Sequence, residues 1–367
     1  MNNYLIFHQS FSNSAGTERV LYNIAEHLSS SSNNRVRLLL CEKIESLVYG
    51  IDGLPIKIDS LNLEAIRSSK IALLSNYLNV FKRLKNYINL LDSSENYTVI
   101  CSNSFLAAIF YFCSKKFSNI KVISCEHFSM HIAGRFSNFL RQSFYSKIAV
   151  VSLTERDKEL LQKKFNPKIC VCIPNAIPFD LEHYSGENKN TIISIGRYTY
   201  QKGFDLYLEA LSKLDKKIFD NWKVVIIGDD YGDKNLLKGL IDRYNLDFVH
   251  LEPSTENIKN YYKKASFYVM SSRFEGLPMV LLEAMGFGLP IISFDCPTGP
   301  AEIVSSKNGV LVRDGDLIEL GEAIKLFIEN PEIMKEKAVG SEMEAQRFKK
   351  SNINKLWDNL FYELWKN

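Results

Sequence analysis

The sequence predicts an α/β protein of two domains, and three observations carry that reading. At 367 residues the chain exceeds what one ordinary hydrophobic core serves. Short apolar runs that read as buried strands alternate with amphipathic helices, the pattern of open α/β sheets. That alternation begins at Tyr4 and begins again at Thr191, after a polar, proline-bounded stretch at 174–189.

In the first half, strand Tyr4–Phe7 has no basic lead and only a short apolar run, so it is a strand and not a signal peptide. A polar loop, Gln9 to Thr17, leads into helix Glu18–Leu28, whose Val20, Leu21, Ile24, Ala25 and Leu28 share one face. Strand Val36–Cys41 follows. Residues 66–91 read as a long helix with an apolar stripe of Leu74, Leu78, Phe81, Leu84, Ile88 and Leu91. Its other side carries Lys70, Lys82, Arg83 and Lys85 near Tyr77 and Tyr87, a face suited to anionic lipid head groups. Strand Tyr97–Cys101 ends in Ser102-Asn103-Ser104, and strand Lys121–Ser124 ends in Cys125-Glu126-His127. Polar residues just past strand ends are where open α/β sheets hold ligands. The segment Phe128–Lys147 sets Arg135, Arg141 and Lys147 among Phe136, Phe139 and Phe144, a second basic, aromatic surface. Thr154 caps helix Glu155–Lys164, and strand Ile169–Ile173 closes the half.

The second half opens with strand Thr191–Ile195 and helix Leu206–Leu214, then strand Lys223–Ile227 with the loop Gly228 to Gly232 behind it. Helix Asn235–Tyr244, strand Val249–Leu251, helix Ile258–Lys264 and strand Ser266–Met270 follow. The next helix opens at Pro278 and closes near Gly286 and Gly288, the usual placement of proline and glycine at helix ends. Strands Pro290–Phe294 and Val310–Val312 come next. The terminal segment Asn352–Trp365 is amphipathic through Ile353, Leu356, Trp357, Leu360, Phe361 and Leu364. Domains of 1–178 and 179–349 are expected, with the helix at 350–367 crossing back onto the first.

The net charge of +3 is unevenly spread. Residues 1–178 hold 21 Lys/Arg against 13 Asp/Glu, and residues 179–367 hold 24 against 29. A basic first half suggests an anionic partner such as a membrane surface, a phosphorylated lipid or nucleic acid. The longest apolar run, Phe105 to Cys113, is far short of the roughly 20 residues of a spanning helix. The seven cysteines include no C-x-x-C pair, which argues against a disulfide framework or zinc site and for reduced thiols in the cytoplasm.

Two loops carry the chemistry. Gly196-Arg197 and Lys202-Gly203, between a strand and a helix, combine a close-approach glycine with two fixed cations, a phosphate site in physical terms. Glu275, in the loop of Arg273-Phe274-Glu275-Gly276-Leu277-Pro278, precedes a helix that holds Glu283. Eight helical rises separate their backbones by roughly 12 Å. Hydrolytic carboxyl pairs stand roughly 5 to 9.5 Å apart, so these two fit the ends of one long ligand instead.

The run Glu275-Gly276-Leu277-Pro278, Glu283-Ala284-Met285 and Gly288-Leu289-Pro290 resembles the E-x7-E signature of retaining family 4 glycosyltransferases. Gly196-Arg197, Lys202-Gly203 and Asp205 resemble the same family's G-R-x-x-x-x-K-G-x-D motif. Pro297-Thr298-Gly299-Pro300, with Glu302, is similar to its phosphate loop. Ala15-Gly16-Thr17-Glu18-Arg19-Val20 resembles its G-G-x-E-R-V loop, with Ala15 in place of the first glycine, and Pro174-Asn175-Ala176 resembles its hinge.

The resemblance implies two Rossmann-like domains facing each other across a cleft, the glycosyltransferase-B (GT-B) fold. It implies transfer of a hexose or N-acetylhexosamine, with retention, from a nucleotide sugar, most readily a UDP-sugar. Arg197 and Lys202 would hold the diphosphate, Glu275 the sugar hydroxyls and Glu283 the ribose, and His127 would face the donor sugar. Gly16, Gly196, Phe274, Gly276, Leu277, Pro278, Thr298 and Gly299 would complete the donor site. No cofactor or metal is implied, because the two cations do a divalent ion's work, and no nucleic-acid partner. A polyprenyl-diphosphate-linked acceptor fits the basic first domain, as in capsule or O-antigen assembly, and places the enzyme in the cytoplasm, peripheral to the inner face of the cell membrane. A soluble acceptor and a non-catalytic subunit of the same fold remain alternatives. A dinucleotide-dependent oxidoreductase does not, since no G-x-G-x-x-G follows either opening strand.

Overall fold

The computed structural model describes residues 2–12, 16–64, 70–127, 134–184 and 189–366. The chain forms two compact units, one of Met1–Pro174 with Ile353–Asn367 and one of Asn175–Asn352.

The first unit is a seven-stranded sheet in the order β3-β2-β1-β4-β5-β6-β7, every pair parallel. Its strands are β1 (Asn2–His8), β2 (Asn34–Glu42), β3 (Lys57–Leu63), β4 (Tyr97–Cys101), β5 (Ile120–Glu126), β6 (Ala149–Ser152) and β7 (Ile169–Cys172). The crossovers are α1 (Gly16–Ser29), α2 (Lys70–Asn89), α3 (Ser104–Ser114), α4 (Arg135–Phe144) and α5 (Glu155–Phe165). Strand order reverses between β1 and β4, so the crevice of this sheet opens beyond His8 and Cys101. Thr154 caps α5 by accepting the Asp157 N–H at 3.0 Å.

The second unit repeats the plan with six parallel strands in the order β10-β9-β8-β11-β12-β13. These are β8 (Thr191–Ile195), β9 (Lys223–Ile227), β10 (Val249–Glu252), β11 (Phe267–Met270), β12 (Ile291–Phe294) and β13 (Gly309–Val312). The helices between them are α6 (Phe204–Ser212), α7 (Lys234–Tyr244), α8 (Ile258–Lys264), α9 (Met279–Gly286) and α10 (Pro300–Ile303). Then come α11 (Leu317–Glu329), α12 (Pro331–Ala345) and α13 (Lys350–Trp365). The reversal here falls between β8 and β11, the strands that feed the two motif loops.

The last fifteen residues complete the first unit. On α13, Phe361 packs tilted against Tyr4 with ring centroids 5.0 Å apart, and Trp365 donates its indole N–H to Thr98 at 2.9 Å. Asp358 reaches His27 at 2.8 Å.

Several sequence expectations need correction. On α2 the buried face is Val80, Leu84 and Ile88, a strict i, i+4, i+8 row, whereas Leu78 (68% exposed) and Phe81 point outward. Leu74, Tyr77 and Lys70 lie among side chains outside the described residues. Arg83 is no free cation, since its guanidinium donates to the Leu61 and Asn62 carbonyls at 2.6 and 2.9 Å. On α4, Arg141 and Phe144 are core, not surface, while Phe136 and Phe139 are 72% and 75% exposed. Pro278 caps α9 from outside its first turn. Phe128 to Ile132, Ser14 and Ala15 lie outside the described residues. All seven cysteines are free. Among the described residues, no helix is long and apolar enough to cross a membrane.

Candidate active site

In the second unit the loops after β8 and β11 are fastened to each other. Gly203 sits at φ +62°, and a Cβ there would strike the Ser271 carbonyl oxygen at 2.1 Å, so only glycine lets the backbones approach. Ser271 Oγ donates to the Lys202 carbonyl at 3.1 Å, and the Arg273 N–H donates to the Gln201 carbonyl at 2.8 Å. Arg273 adds a forked pair to Asp205 at 2.8 and 2.6 Å. Burial alone would raise the Asp205 carboxyl, but the Arg273 guanidinium outweighs it and holds the group below its ordinary range. Arg273 is therefore a fastener and not a ligand-facing cation.

This fastening brings Lys202 Nζ to 2.7 Å from Glu275 Oε1, with both side chains mostly buried. The same oxygen accepts from Ser272 Oγ at 2.8 Å. The Lys202 stem crosses the bare face of Gly196, where a Cβ would meet its Cε at 2.9 Å. Arg197 is exposed on the same loop and lies over the Tyr231 ring, 5.2 Å from its centroid. A third loop joins from β12: the Glu275 N–H donates to the Pro297 carbonyl at 2.9 Å, and the Thr298 N–H donates to the Glu275 carbonyl at 2.8 Å. At Gly299 a Cβ would sit 1.8 Å from the Gly276 carbonyl oxygen. Lys202, Glu275, Gly196, Gly276, Thr298 and Gly299 thus meet at the strand-order reversal. Phe274 is held there by its carbonyl, which accepts from Gln201 Nε2 at 3.1 Å, and Leu277 and Pro278 are buried behind it.

Glu283, on the second turn of α9, accepts from the Tyr262 hydroxyl at 2.8 Å. Burial, then the Glu283 charge, pushes the Tyr262 phenol far above its ordinary range, so it remains a donor to that carboxylate. Burial raises the Cys296 thiol and Glu275 raises it further, which keeps it an un-ionised neighbour.

The first unit has its own polar cluster at its reversal point. His8 ends β1, Ser102 follows β4 and His127 follows β5. His8 Nδ1 lies 2.7 Å from Ser102 Oγ, and its Nε2 lies 3.5 Å from Glu18 Oε1 on α1. His127 Nε2 is buried and has no partner among the described residues. Burial first, and His8 second, lower the His127 pKa from 6.5 to about 4, with Glu18 opposing. An unfolded chain takes up this proton below about 6.5 and the folded one only near 4, so the stability the neutral ring confers is intact above 6.5 and lost as pH falls through that window. We expect the unfolding temperature to drop less steeply between pH 7 and pH 4 in His127→Phe than in the parent, and equal slopes would assign the pH dependence to other groups. Gly16, the first residue of α1, is exposed.

Sequence reasoning missed Ser272, Tyr262, His8 and Glu18 as site residues. The strand-end rule that selected Ser102 and His127 applies equally to His8 and was a usable signal; nothing in the local sequence marks Tyr262. Among the described residues no group of three or more His, Cys, Asp or Glu side chains stands where it could hold a metal ion.

The geometry agrees with what this chain is similar to. Residues 180–342, which span the fastened loops, match the family described as glycosyl transferases group 1. The amylovoran biosynthesis glycosyltransferase AmsD of Erwinia amylovora is 30% identical over 321 residues, covering 85% of this chain and 86% of AmsD. An alpha-1,4-N-acetyl-D-galactosaminyltransferase of Campylobacter jejuni, whose name specifies a PP-undecaprenol-linked glycan, is 27% identical over 252 residues, 66% of this chain and 68% of its own. The crystal structure of Anabaena HepE with UDP superposes with a TM-score of 0.77 at 16% identity, covering 99% of this chain and 100% of that one. The two parallel sheets, the loops that meet at their reversal points and the near-complete match to AmsD place the chain among the group 1 glycosyl transferases, with the GT-B fold.

Proposed function

We propose that the protein is a retaining, family 4-like hexosyltransferase. It moves a hexose or N-acetylhexosamine from a UDP-sugar to a polyprenyl-diphosphate-linked glycan during polysaccharide assembly, without a metal ion, at the cytoplasmic face of a membrane. The observation that carries this reading is the Lys202–Glu275 pair at 2.7 Å, framed by Gly196 and Gly299 at the reversal point of the second sheet. When a donor binds, its diphosphate competes for the Lys202 ammonium, joined by the exposed Arg197, and Glu275 is released to accept from sugar hydroxyls. As the glycosidic bond breaks, charge grows on the leaving diphosphate, and fixed cations that meet it there lower the barrier. Glu283 holds the ribose from α9, and His127 faces the transferred sugar. The names of AmsD and of the Campylobacter jejuni enzyme support a role in polysaccharide assembly and a lipid-diphosphate acceptor. The UDP in HepE makes UDP the first nucleotide to try.

Calorimetric titration with UDP, GDP and ADP, first without a divalent metal and then with one, tests the reading. Micromolar UDP binding that needs no metal supports it, preference for GDP or ADP changes the donor, and binding of none removes the transferase assignment. In Glu283→Ala, UDP affinity should fall by about tenfold, the worth of one or two hydrogen bonds to a charged group. Unchanged UDP affinity would take Glu283 out of the ribose site.

A further inference from the structure

We infer that Glu18, braced by His8, holds the hydroxyl of the accepting sugar; this rests on the transferase reading above and assigns its acceptor-binding residue in the first unit. Glu18 is buried, yet its Oε2 has no hydrogen-bond partner among the described residues. A buried carboxylate oxygen left this way is costly, and natural structures keep one where a ligand or water completes it. The other carboxylate oxygen is engaged. Glu18 Oε1 faces His8 Nε2 at 3.5 Å, and His8 is fixed from behind by Ser102 Oγ at 2.7 Å and flanked edge-on by Phe11, with ring centroids 6.1 Å apart. One oxygen is thus oriented by the protein and the other is offered.

The position suits the task. Open α/β sheets take their ligand where strand order reverses, and His8 and Ser102 end the two strands on either side of that point. A carboxylate there accepts a hydrogen bond from a hydroxyl and repels phosphate, so it selects the sugar of a glycan over its diphosphate anchor. His127 Nε2, close enough to be shifted by the Glu18 and His8 charges, is the neighbouring unpartnered atom. The hydroxyl that receives a sugar must lie beside the sugar it receives, and His127, which follows the strand next to β4, belongs to the same end of this sheet as Glu18's partner His8. His8 is then a positioning residue, which acts only through Glu18.

The test uses the full chain and a panel of methyl glycosides of glucose, galactose and N-acetylglucosamine with their deoxy analogues, followed by saturation-transfer NMR with and without UDP. At least one glycoside should bind the parent, and Glu18→Gln should weaken it by about tenfold. Deleting the matching hydroxyl from the glycoside should cost the parent a similar factor and cost Glu18→Gln almost nothing, the non-additivity expected of one shared contact. His8→Gln should lose less than Glu18→Gln, and Glu18→Asp should restore part of the binding. UDP affinity should be the same in every variant, and the emission of Trp357 and Trp365, which belong to the first unit, reports that this unit is folded in each. Unaltered glycoside binding in Glu18→Gln, additive losses, or no glycoside bound by the parent would each overturn the assignment. Loss of UDP binding by the parent would instead bring down the donor reading and leave the nucleotide-free titration to decide this one.

Discussion

Turnover in Lys202→Ala falls by about two to three orders of magnitude, the cost of removing one preorganised donor from a developing negative charge. The structure gives this substitution a second effect. Lys202 is the ionic partner of Glu275, a buried carboxylate whose Oε1 otherwise meets Ser272. Removing one member of a buried pair strands the other, so Lys202→Ala also lowers the stability of the second unit, where Trp222 reports. The two effects separate in Lys202→Ala/Glu275→Gln, in which the stranded charge is gone: stability recovers and turnover does not. Transfer or UDP-sugar hydrolysis at saturating donor, alongside the thermal midpoint, gives both readings. Near-parental turnover in Lys202→Ala would remove the diphosphate role from this residue.

The largest stability effect belongs to the first unit. Arg141 makes a bidentate pair with Glu126 at 2.8 and 2.9 Å, and the Tyr145 hydroxyl donates to the same carboxylate. All three side chains are buried. Burial, then the Glu126 charge, drives the Tyr145 phenol far above its ordinary range, so it stays protonated and donating. In Arg141→Met the Glu126 charge is left in the core with the Tyr145 hydroxyl as its donor, at a cost of about 3 to 5 kcal/mol. Denaturant unfolding followed through Trp357 and Trp365 should show an early transition confined to the first unit. Arg141→Met/Glu126→Gln should regain much of the loss, because no unpaired charge remains. A midpoint unchanged in the single variant would mean that the carboxylate finds another partner. Glu126 directly precedes His127, so the same network ties α4 to the strand end that presents the imidazole.

What the sequence made legible is what local geometry demands. Gly203 and Gly299 could be picked out because a tight turn or a backbone approach admits no other residue, and that requirement leaves its mark within a few positions. Strands such as β4 and β9 could be read because burial on both faces leaves them a nearly continuous apolar run. β3 was missed because Lys57, Asp59 and Asn62 break its apolar pattern. The face of α2 was misplaced because the described side chains that are buried there, Val80, Leu84 and Ile88, include neither Leu78 nor Phe81, which local composition cannot tell from core residues. Arg141 was read as surface because its partner lies 15 residues away, and a buried ion pair cannot be told from two solvated charges without that distance. His8 stood at a strand end and was legible by the rule that selected Ser102 and His127; only its contact with Ser102, 94 residues distant, was not.

Helix α13 starts in one unit and ends in the other, and this bears on the order in which the protein can mature. A ribosome delivers residues 2–174 first, yet the surface around Tyr4 and Thr98 stays open until Phe361 and Trp365 have been made. Domains usually form as they are made. Here the half that is translated first is the half that finishes last, and it must wait, partly uncovered, through the synthesis of the entire second unit. A premature stop near residue 350 would therefore injure the end of the protein that had already been built.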